Sequence, residues 1–300
     1  MHETFNPSLA DLTTLGLGGT ASLLLEPETV DECALVEERL KTAGLKPLVI
    51  GLGSNMLAQD GDHPLILIRP AFERKIALVE TIGEQVVVRA SASLPLPHFL
   101  IHLAKASLTG LEGLSGIPGS VGGAIAMNAG SFGTTIGDRI RQVSLWHKGR
   151  EHSFLRDKLT FGYRSFVHPF SCPEQSDALS IITSAEFVLT RGERKKIFAA
   201  MAGYTQRKRA TQPVCAKSAG CVFKNPAGEY AGRLLEACGL KGKTRGGVGF
   251  STLHANFLLN LQKGSAKDAL WLLRYARDAV ESAFGIALEL EVRVVPCLQT

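Results

Sequence analysis

Apolar and polar positions along the chain follow two periodicities, which together predict a mixed α+β protein. Strand-like apolar runs lie at 21–25, 47–50, 65–68, 86–88 and 181–189, and helical spacing lies at 97–107, 193–209, 228–238 and 265–284. A further helix opens at the capping-box pair Thr29 and Glu32 and ends before Gly44. Residues 1–70 therefore predict a small β-α-β unit.

The last element shows the strictest alternation. It places four apolar side chains on one face and three charged ones on the other: Leu288, Leu290, Val292 and Val294 against Glu289, Glu291 and Arg293. Such a period of two predicts a strand over Ala287–Val295 with one polar face.

Two glycine-rich segments are candidates for holding an anion. Gly110–Gly133 has glycine at every third position as far as Gly122, and Gly51–Asn55 follows a predicted strand. Glycine has no Cβ and allows left-handed backbone, so several N–H groups can converge on a pyrophosphate. Tight turns between closely packed elements are the alternative. Gly51–Asn55 is not a Rossmann fingerprint, because Met56 replaces the third glycine and no helix pattern follows.

A third glycine segment is similar to a Walker A loop. Ala237–Thr244 ends in Gly-Lys-Thr, but a predicted helix precedes it and another glycine pair follows. Because a P-loop needs a strand before it and a helix after it, a nucleotide hydrolase is only a weak alternative.

Composition and charge argue against a membrane protein, a secreted protein and a nucleic-acid-binding protein. The 300 residues are 45% apolar and 20% charged, an ordinary globular balance, and their number predicts two or three domains. No run approaches the roughly 18 apolar residues of a membrane span, and the first residues do not resemble a secretion signal. The net charge of +5 is mild and suits an anionic small ligand. The basic runs lack interleaved aromatic residues, so nucleic acid is not an expected partner.

The six cysteines contain no CxxC pair, so neither a metal site nor a redox motif is predicted. We expect them to be reduced and the compartment to be cytoplasmic.

Single side chains leave the chemistry open. Cys221 follows a turn-prone Ser-Ala-Gly sequence, and Arg164 follows a glycine and an aromatic residue. Glu291 lies on the polar face of the predicted terminal strand. A buried packing thiol, a surface arginine and a solvated sheet face are the respective alternatives. None of the three by itself identifies a reaction.

Taken in order, the motifs resemble one family, UDP-N-acetylenolpyruvoylglucosamine reductase, from about Thr13 to Val295. The segments that carry the resemblance are Gly16–Gly19, Gly51–Asn55, Gly113–Gly119, Asn128–Gly130, Gly162–Arg164, Ser218–Cys221, Lys224–Pro226, His254–Phe257 and Leu288–Arg293. Each is short, and their order and spacing make the combined signal strong. A different flavoprotein of the same fold, such as a hydroxy-acid dehydrogenase, is the main alternative, which would share the glycine loops but not Cys221, Arg164 and Glu291.

The resemblance implies an α+β fold. It consists of a two-lobed FAD-binding domain of the vanillyl-alcohol-oxidase type and a third, substrate-binding α+β domain. The implied boundaries are 1–70 for the first lobe, 71–205 with the terminal strand 286–300 for the second, and 206–285 for the substrate domain.

The resemblance also implies the cofactor and the reaction. Non-covalent FAD accepts a hydride from NADPH and passes it to UDP-N-acetylglucosamine enolpyruvate, giving UDP-N-acetylmuramate for peptidoglycan synthesis. No metal, membrane or nucleic acid takes part. The implied cofactor-binding residues are Gly51, Gly53, Ser54, Asn55, Ile117, Pro118, Gly119, Ser120, Gly122, Gly123, Ala124 and Asn128.

Three residues match the family's catalytic positions. Arg164 pairs with negative charge that develops on the substrate carboxylate, and Glu291 works protonated or orients Arg164 or water. Cys221 stands where the family usually has a serine proton donor, and its ordinary pKa of about 8.5 suits donation. The implied substrate-binding residues are Tyr163, Arg209, Lys224 and Asn225.

Two further departures from the family pattern are visible. Thr13 precedes Thr14 where asparagine is usual, a change expected to act locally. The interval between Arg164 and Cys221 is too short for the substrate-covering loop of the longer subtype, so the shorter subtype is implied.

Overall fold

A computed structural model describes residues 1–171 and 179–296. The chain divides into two compact units, each assembled from separate stretches of sequence. Unit 1 comprises Met1–Phe5, Leu23–Leu52 and Pro64–Arg207, and unit 2 comprises Asn6–Ser22, Gly53–His63 and Lys208–Thr300. Cys172 and the last four residues of the predicted terminal strand, Cys297 among them, lie outside the described residues. The predicted three-part domain division stays a prediction.

The structure describes six α-helices, five of them close to where the sequence predicts a helix; Val121–Ala126 is the one that the sequence does not predict. They span Cys33–Ala43, Leu96–Lys105, Val121–Ala126, Arg194–Thr211, Ala231–Ala237 and Ala266–Phe284. Gly44 and Gly285 end the first and last of these in the left-handed conformation that glycine adopts readily. The side chain of Ser265 caps the last helix by accepting a hydrogen bond from the Asp268 N–H. None of these described helices is long and apolar enough to cross a membrane.

A four-stranded sheet accompanies the first helix. Its strands follow the order His2–Phe5, Thr20–Glu26, Asp62–Ile68 and Lys46–Val49. The pair at the first edge is antiparallel, and the pair at the other edge is parallel. Leu25, Val36 and Ile66 are fully buried where the helix covers the sheet, as the predicted β-α-β unit requires.

A larger antiparallel sheet forms the second core of unit 1. Its strands follow the order Arg150–Leu155, Ile140–His147, Ser180–Arg191, Gln85–Ser91 and Ile76–Ile82, with Leu108–Thr109 pairing to the end of the long central strand. Helices Leu96–Lys105 and Val121–Ala126 contribute to its core, where the rings of Phe99 and Phe187 lie 4.9 Å apart. Two short hairpins, Gly130–Ser131 with Thr134–Thr135 and Thr160–Gly162 with Ser165–Val167, complete the unit's strands.

Unit 2 contains a second α+β core. Four strands pair in the order Ser218–Cys221, Phe257–Asn260, Val248–Phe250 and Thr244–Arg245. Helices Ala231–Ala237 and Ala266–Phe284 share their apolar cluster, which includes Phe223, Leu234 and Leu273. Because Thr244–Arg245 is a strand, the Gly-Lys-Thr segment has no helix after it and is not a P-loop.

The C-terminal segment departs from the continuous strand predicted over Ala287–Val295. Only Arg293–Val295 forms a strand, and it pairs in parallel with Met56–Ala58. Just before it, Leu290 makes a single bridge to Phe223. The prediction of one strand is wrong because the segment changes its partner within a few residues, so that no single ladder runs along it.

Candidate active site

Two of the predicted cofactor-binding segments meet within unit 1. Gly51 follows the strand Lys46–Val49, and Ser120 precedes the helix Val121–Ala126. A Cβ placed on Gly51 would lie 2.8 Å from Ser120 Oγ and 3.7 Å from Gly123 Cα. A side chain there would have to displace the Ser120 hydroxyl, which accepts a hydrogen bond from Gly123 N. The two glycine loops thus approach each other closely and form one cradle.

The first turn of the helix at Val121 is not an open anion site. Its three N–H groups are taken by protein acceptors: Val121 donates to Leu94 O at 2.8 Å, Gly122 to Ala92 O at 2.9 Å and Gly123 to Ser120 Oγ at 3.2 Å. Among the described residues no acceptor is found for the N–H groups of Gly119 and Ser120. The donors available to a phosphate are therefore those of the loop that precedes the helix, and the cradle fits a dinucleotide pyrophosphate on backbone alone.

Asn128 is buried, and both ends of its side chain are engaged. Its Nδ2 donates to Gly162 O at 2.8 Å, and its Oδ1 accepts from Gly137 N at 3.1 Å. The side chain thus fixes the turn that leads into Tyr163. Contact between Asn128 and a cofactor stays a prediction.

Tyr163 and Arg164 form the tip of a hairpin in unit 1. They connect the strands Thr160–Gly162 and Ser165–Val167. Arg164 has φ +54°, a left-handed conformation that non-glycine residues rarely adopt. Its Nη1 donates to Gly130 O at 3.3 Å, and its guanidinium carbon lies 5.6 Å from the centre of the exposed Tyr163 ring. Strained backbone at such a tip is typical of functional positions.

Gly53 and Asn55 belong to unit 2, where each has a structural contact. A Cβ on Gly53 would lie 2.0 Å from Leu12 O, so this glycine serves close packing. Asn55 Nδ2 donates to Glu291 O at 3.1 Å, and Asn55 O accepts from Arg293 N at 3.0 Å. The loop containing the half-buried Ser54 is thereby joined to the C-terminal segment.

Cys221 stands at the end of a bulged strand. Ser218 pairs with Leu259 and Cys221 with Phe257, so the strand carries one extra residue between these positions. Gly220 absorbs the bulge at φ +81°, and its N–H donates to Ser218 Oγ at 3.1 Å. Bulges commonly re-aim a side chain next to an active site. Cys221 is half-buried.

The backbone that follows Cys221 is hydrogen-bonded to the segment that contains Glu291. The N–H of Glu291 donates to Val222 O at 2.9 Å, and the N–H of Lys224 donates to Glu289 O at 2.9 Å. These bonds flank the bridge between Phe223 and Leu290. Two of the predicted catalytic residues are thus backbone neighbours within unit 2, although they are far apart in the sequence.

The predicted substrate-binding residues of unit 2 lie in two places: Lys224 and Asn225 are neighbours in the loop after the strand Ser218–Cys221, and Arg209 lies in a helix. Lys224 Nζ is 3.0 Å from the exposed Glu289 carboxylate. Asn225 Oδ1 accepts from Ala231 N at 3.0 Å and so caps the helix Ala231–Ala237. Arg209 is exposed in the last turn of the helix Arg194–Thr211.

Asn256 is a residue that the sequence analysis left without a role. It is 2% exposed, its Oδ1 accepts from Phe223 N at 2.9 Å, and its Nδ2 donates to Phe223 O at 2.8 Å. His254 Nδ1 accepts from Asn256 N at 3.2 Å, and burial lowers the pKa of His254. The motif containing both was visible, but motif order does not reveal which backbone an amide will bind.

Other features of the described residues do not compete with these positions. A cavity of about 600 Å³ in unit 2 is lined by Gly16, Asp60, Lys217 and Asn260 among others, and it includes none of the predicted site residues. Within the described ranges no cluster of metal-ligating side chains occurs. Burial raises the pKa of the Cys33 thiol to about 12 and also raises that of Cys238, which keeps both thiols protonated.

The cradle and the unit 1 core define a class of protein, because residues 21–149 match the family model described as FAD binding domain. Residues 212–295 match the model described as UDP-N-acetylenolpyruvoylglucosamine reductase, C-terminal domain. The chain is an FAD-dependent oxidoreductase of α+β fold.

Relatives along the whole chain specify the family. The chain is 42% identical to UDP-N-acetylenolpyruvoylglucosamine reductase from Nitratidesulfovibrio vulgaris, over 97% of this chain and 98% of the relative. It is 41% identical to the reductase from Oleidesulfovibrio alaskensis, over 97% of each. The crystal structure of the reductase from Thermus caldophilus matches with a TM-score of 0.77 at 35% identity, over 98% of both chains. The chain belongs to the UDP-N-acetylenolpyruvoylglucosamine reductase family.

This membership confirms several predictions. The resemblance, the α+β fold class, the FAD cofactor and the reductase activity in peptidoglycan precursor synthesis all stand. The P-loop hydrolase and a different flavoprotein of the same fold are excluded as alternatives.

Proposed function

We propose that the chain reduces UDP-N-acetylglucosamine enolpyruvate to UDP-N-acetylmuramate with NADPH as the hydride donor. The cradle of Gly51 and Gly119–Ser120 supports binding of the FAD pyrophosphate, since it offers the backbone N–H groups of Gly119 and Ser120 and leaves Gly51 without a side chain. Bound FAD would supply the hydride chemistry, carrying a hydride from NADPH to the terminal vinyl carbon of the substrate. The remaining tasks belong to the protein: to bind the sugar nucleotide, to stabilise charge and to supply one proton.

Arg164 stabilises the charge that forms on the substrate. Hydride addition to the vinyl carbon makes the neighbouring carbon enolate-like, and its negative charge spreads onto the adjacent carboxylate. A guanidinium is always charged and presents a planar fork that matches a carboxylate. The left-handed hairpin tip and the bond to Gly130 support a fixed placement of this group, which is what electrostatic stabilisation of a transition state needs.

Cys221 donates the proton that completes the reduction. The proton goes to the enolate-like carbon, and the thiol becomes a thiolate that solvent reprotonates. A thiol pKa of about 8.5 lies closer to neutral pH than that of an alkyl hydroxyl, so the exchange of serine for cysteine preserves the capacity to donate. The bulge at Gly220 and the half-buried setting support a directed side chain.

Glu291 acts beside Cys221. An ionised carboxylate next to an enolate would repel it, so Glu291 works in its protonated form or orients Arg164 or a water molecule. Lys224 and Arg209 supply positive charge for the diphosphate, and Tyr163 and Asn225 contribute polar contacts to the sugar nucleotide. Lys224 is placed for this by the same backbone pairing that positions Glu291.

The observation that carries the proposal is the pairing of the backbone next to Cys221 with that of Glu291. The proposed compartment is the cytoplasm, supported by free thiols at Cys33, Cys215, Cys221 and Cys238. The two family matches, to an FAD-binding region and a C-terminal region, support a separate substrate-binding part near 206–285.

The test measures the two half-reactions separately in each of the variants Cys221→Ala and Cys221→Ser. Flavin reduction by NADPH and flavin reoxidation by the enolpyruvoyl substrate are each followed at the flavin absorbance under anaerobic conditions. We expect Cys221→Ala to slow reoxidation by roughly 100-fold or more, the usual contribution of a general acid, and to leave reduction unchanged. Cys221→Ser retains most of the rate.

The matched control is Cys215→Ala, which removes an exposed thiol nearby in the sequence. It should change neither half-reaction. If Cys221→Ala reoxidises its flavin as fast as the parent chain, the assignment of Cys221 is wrong.

A further inference from the structure

The side chain of Asn256 is hydrogen-bonded to the backbone of Phe223. It exchanges two hydrogen bonds with that one residue, accepting from its N–H at 2.9 Å and donating to its carbonyl at 2.8 Å. The Asn256 carbonyl accepts a third bond, from Val222 N at 2.9 Å. With 2% of its surface exposed, water cannot replace these bonds, so their loss leaves buried backbone groups unsatisfied.

The same segment is held on its other side by the C-terminal residues. Val222 O accepts from Glu291 N at 2.9 Å, and Lys224 N donates to Glu289 O at 2.9 Å. The stretch from Cys221 to Lys224 therefore lies between Asn256 and the segment that carries Glu291. Cys221 itself pairs with Phe257, the residue after Asn256.

We propose that Asn256 is a positioning residue for the reduction of the sugar nucleotide: its amide sets the distance between Cys221 and Glu291 by fixing the backbone that joins them. This inference rests on the proposed function of these two residues. Asn256 acts through the backbone of Phe223 and has no proton to transfer. A small displacement of a reacting group costs rate far more than it costs binding.

His254 completes the arrangement. Its Nδ1 accepts from Asn256 N at 3.2 Å, so this ring nitrogen carries no proton. The His254 ring meets the Phe257 ring edge-on with centroids 5.1 Å apart. The turn that presents Asn256 is thus itself held in place.

Asn260, the last residue of the strand Phe257–Asn260, is a matched control for Asn256. Asn260 also bridges two backbone groups, donating from Nδ2 to Gly16 O at 2.9 Å and accepting at Oδ1 from Gly264 N at 3.0 Å. It belongs to the same unit and the same strand region, but its side chain binds neither the Cys221 segment nor the Glu291 segment. Its backbone N–H donates to Lys217 O at 3.0 Å, a bond that the alanine variant retains. Loss of the Asn260 amide therefore reproduces the general structural cost without the positioning effect.

The experiment compares Asn256→Ala with Asn260→Ala in the FAD-loaded enzyme. We expect Asn256→Ala to slow flavin reoxidation by the enolpyruvoyl substrate by roughly tenfold or more, and to leave flavin reduction by NADPH within about twofold. Asn260→Ala should affect the two half-reactions equally. Asn256→Asp, which keeps the Oδ1 acceptor and loses the donor, gives the same comparison if the alanine variant does not fold.

A second readout does not depend on turnover. Alkylation of Cys221 by iodoacetamide is measured by mass spectrometry, with the exposed Cys215 as the internal reference. We expect the ratio of Cys221 to Cys215 modification to change at least about threefold in Asn256→Ala, because the bulge that presents the thiol loses its support. In Asn260→Ala the ratio should stay at the parent value.

The results distinguish two kinds of failure. If Cys221→Ala slows reoxidation but Asn256→Ala behaves like Asn260→Ala in both readouts, the positioning role is overturned while the proposed function stands. If Cys221→Ala itself reoxidises normally, the proposed function fails first. If both hold, the double variant should reoxidise little more slowly than Cys221→Ala alone, since Asn256 acts through that residue.

Discussion

The N–H of Glu291 donates a 2.9 Å hydrogen bond to the carbonyl of Val222, the residue that follows Cys221. This bond joins the C-terminal segment to the strand end that carries the proposed proton donor. Asn55 reaches the same place, donating to the Glu291 carbonyl at 3.1 Å. Three segments that are far apart along the chain therefore meet through the backbone of Val222 and Glu291 and the side chain of Asn55.

Glu291→Gln should separate chemistry from folding. Glu291 bonds to Val222 and Asn55 through its own backbone N–H and carbonyl, so the exchange of its side chain leaves both bonds in place. We expect flavin reoxidation by the enolpyruvoyl substrate to fall by roughly 100-fold, with flavin reduction by NADPH unchanged. Stopped-flow absorbance measures both rates. The exposed Glu281 provides the control variant Glu281→Gln, and equal rates for the two variants would contradict the role of Glu291.

Gly51→Ala should weaken FAD binding because the new methyl group meets Ser120 Oγ at 2.8 Å. Overpacking of this kind costs about 1–3 kcal/mol, and in the loop that holds the cofactor this corresponds to a rise of roughly 5- to 150-fold in the FAD dissociation constant. Flavin fluorescence titration gives that constant.

The identity of the clashing atom makes the Gly51 prediction specific. Adding Ser120→Ala removes the hydroxyl and should recover part of the lost affinity, although the helix cap it provides is worth about 1 kcal/mol. Gly203→Ala, in a helix with no atom within 4 Å of the new methyl group, should leave FAD binding unchanged. Additive losses in the double variant would argue against contact between the two loops.

Lys224→Ala should raise the KM for the sugar nucleotide while kcat changes little, because a diphosphate contact binds ground state and transition state alike. Its ion pair with Glu289 is on the surface, where such pairs contribute little to stability. Glu289→Gln should therefore leave both the KM and the melting temperature near the parent values. Steady-state kinetics of the two variants measures both KM values. An unchanged KM in Lys224→Ala would show that Lys224 is not part of the substrate site.

The stability of the protein should fall in mild acid because of His168. Burial, with a smaller contribution from nearby His147, lowers the pKa of His168 to about 4. The unfolded chain has a pKa of about 6.5 and so binds the proton more readily between these values. The contribution of His168 is fully present above pH 6.5 and is lost as pH falls towards 4, by roughly 1–3 kcal/mol.

Urea unfolding between pH 4.5 and 7.5 measures this dependence. His168→Gln should flatten the curve relative to the parent chain, whereas His98→Gln, at an exposed position, should leave its slope unchanged. Parallel curves for the parent and His168→Gln would show that His168 is not the group responsible.

Local signals predicted where helices end better than where they begin. Gly44 and Gly285 end the first and last helices where the sequence places their ends, because such caps depend on interactions within a few residues. The helix predicted to open at Thr29 begins instead at Cys33, and its N-cap Glu32 makes no side-chain cap bond. The Gly228–Cys238 helix begins later than predicted, at Ala231, whose N–H donates to Asn225 Oδ1. The order of the motifs was also sufficient to identify the family.

The sequence by itself determined the α+β class, the approximate bounds of five helices and five strands, the family and the residue types of the site. Tertiary structure alone decided that the last segment leaves Phe223 for the strand at Met56–Ala58, that Gly53 packs against Leu12, and that Asn256 clamps the backbone beside Cys221. The physical reason is the range of the interactions. Propensity, capping and periodicity act between near neighbours, whereas a buried amide or carbonyl takes whichever partner the folded chain brings within hydrogen-bond distance.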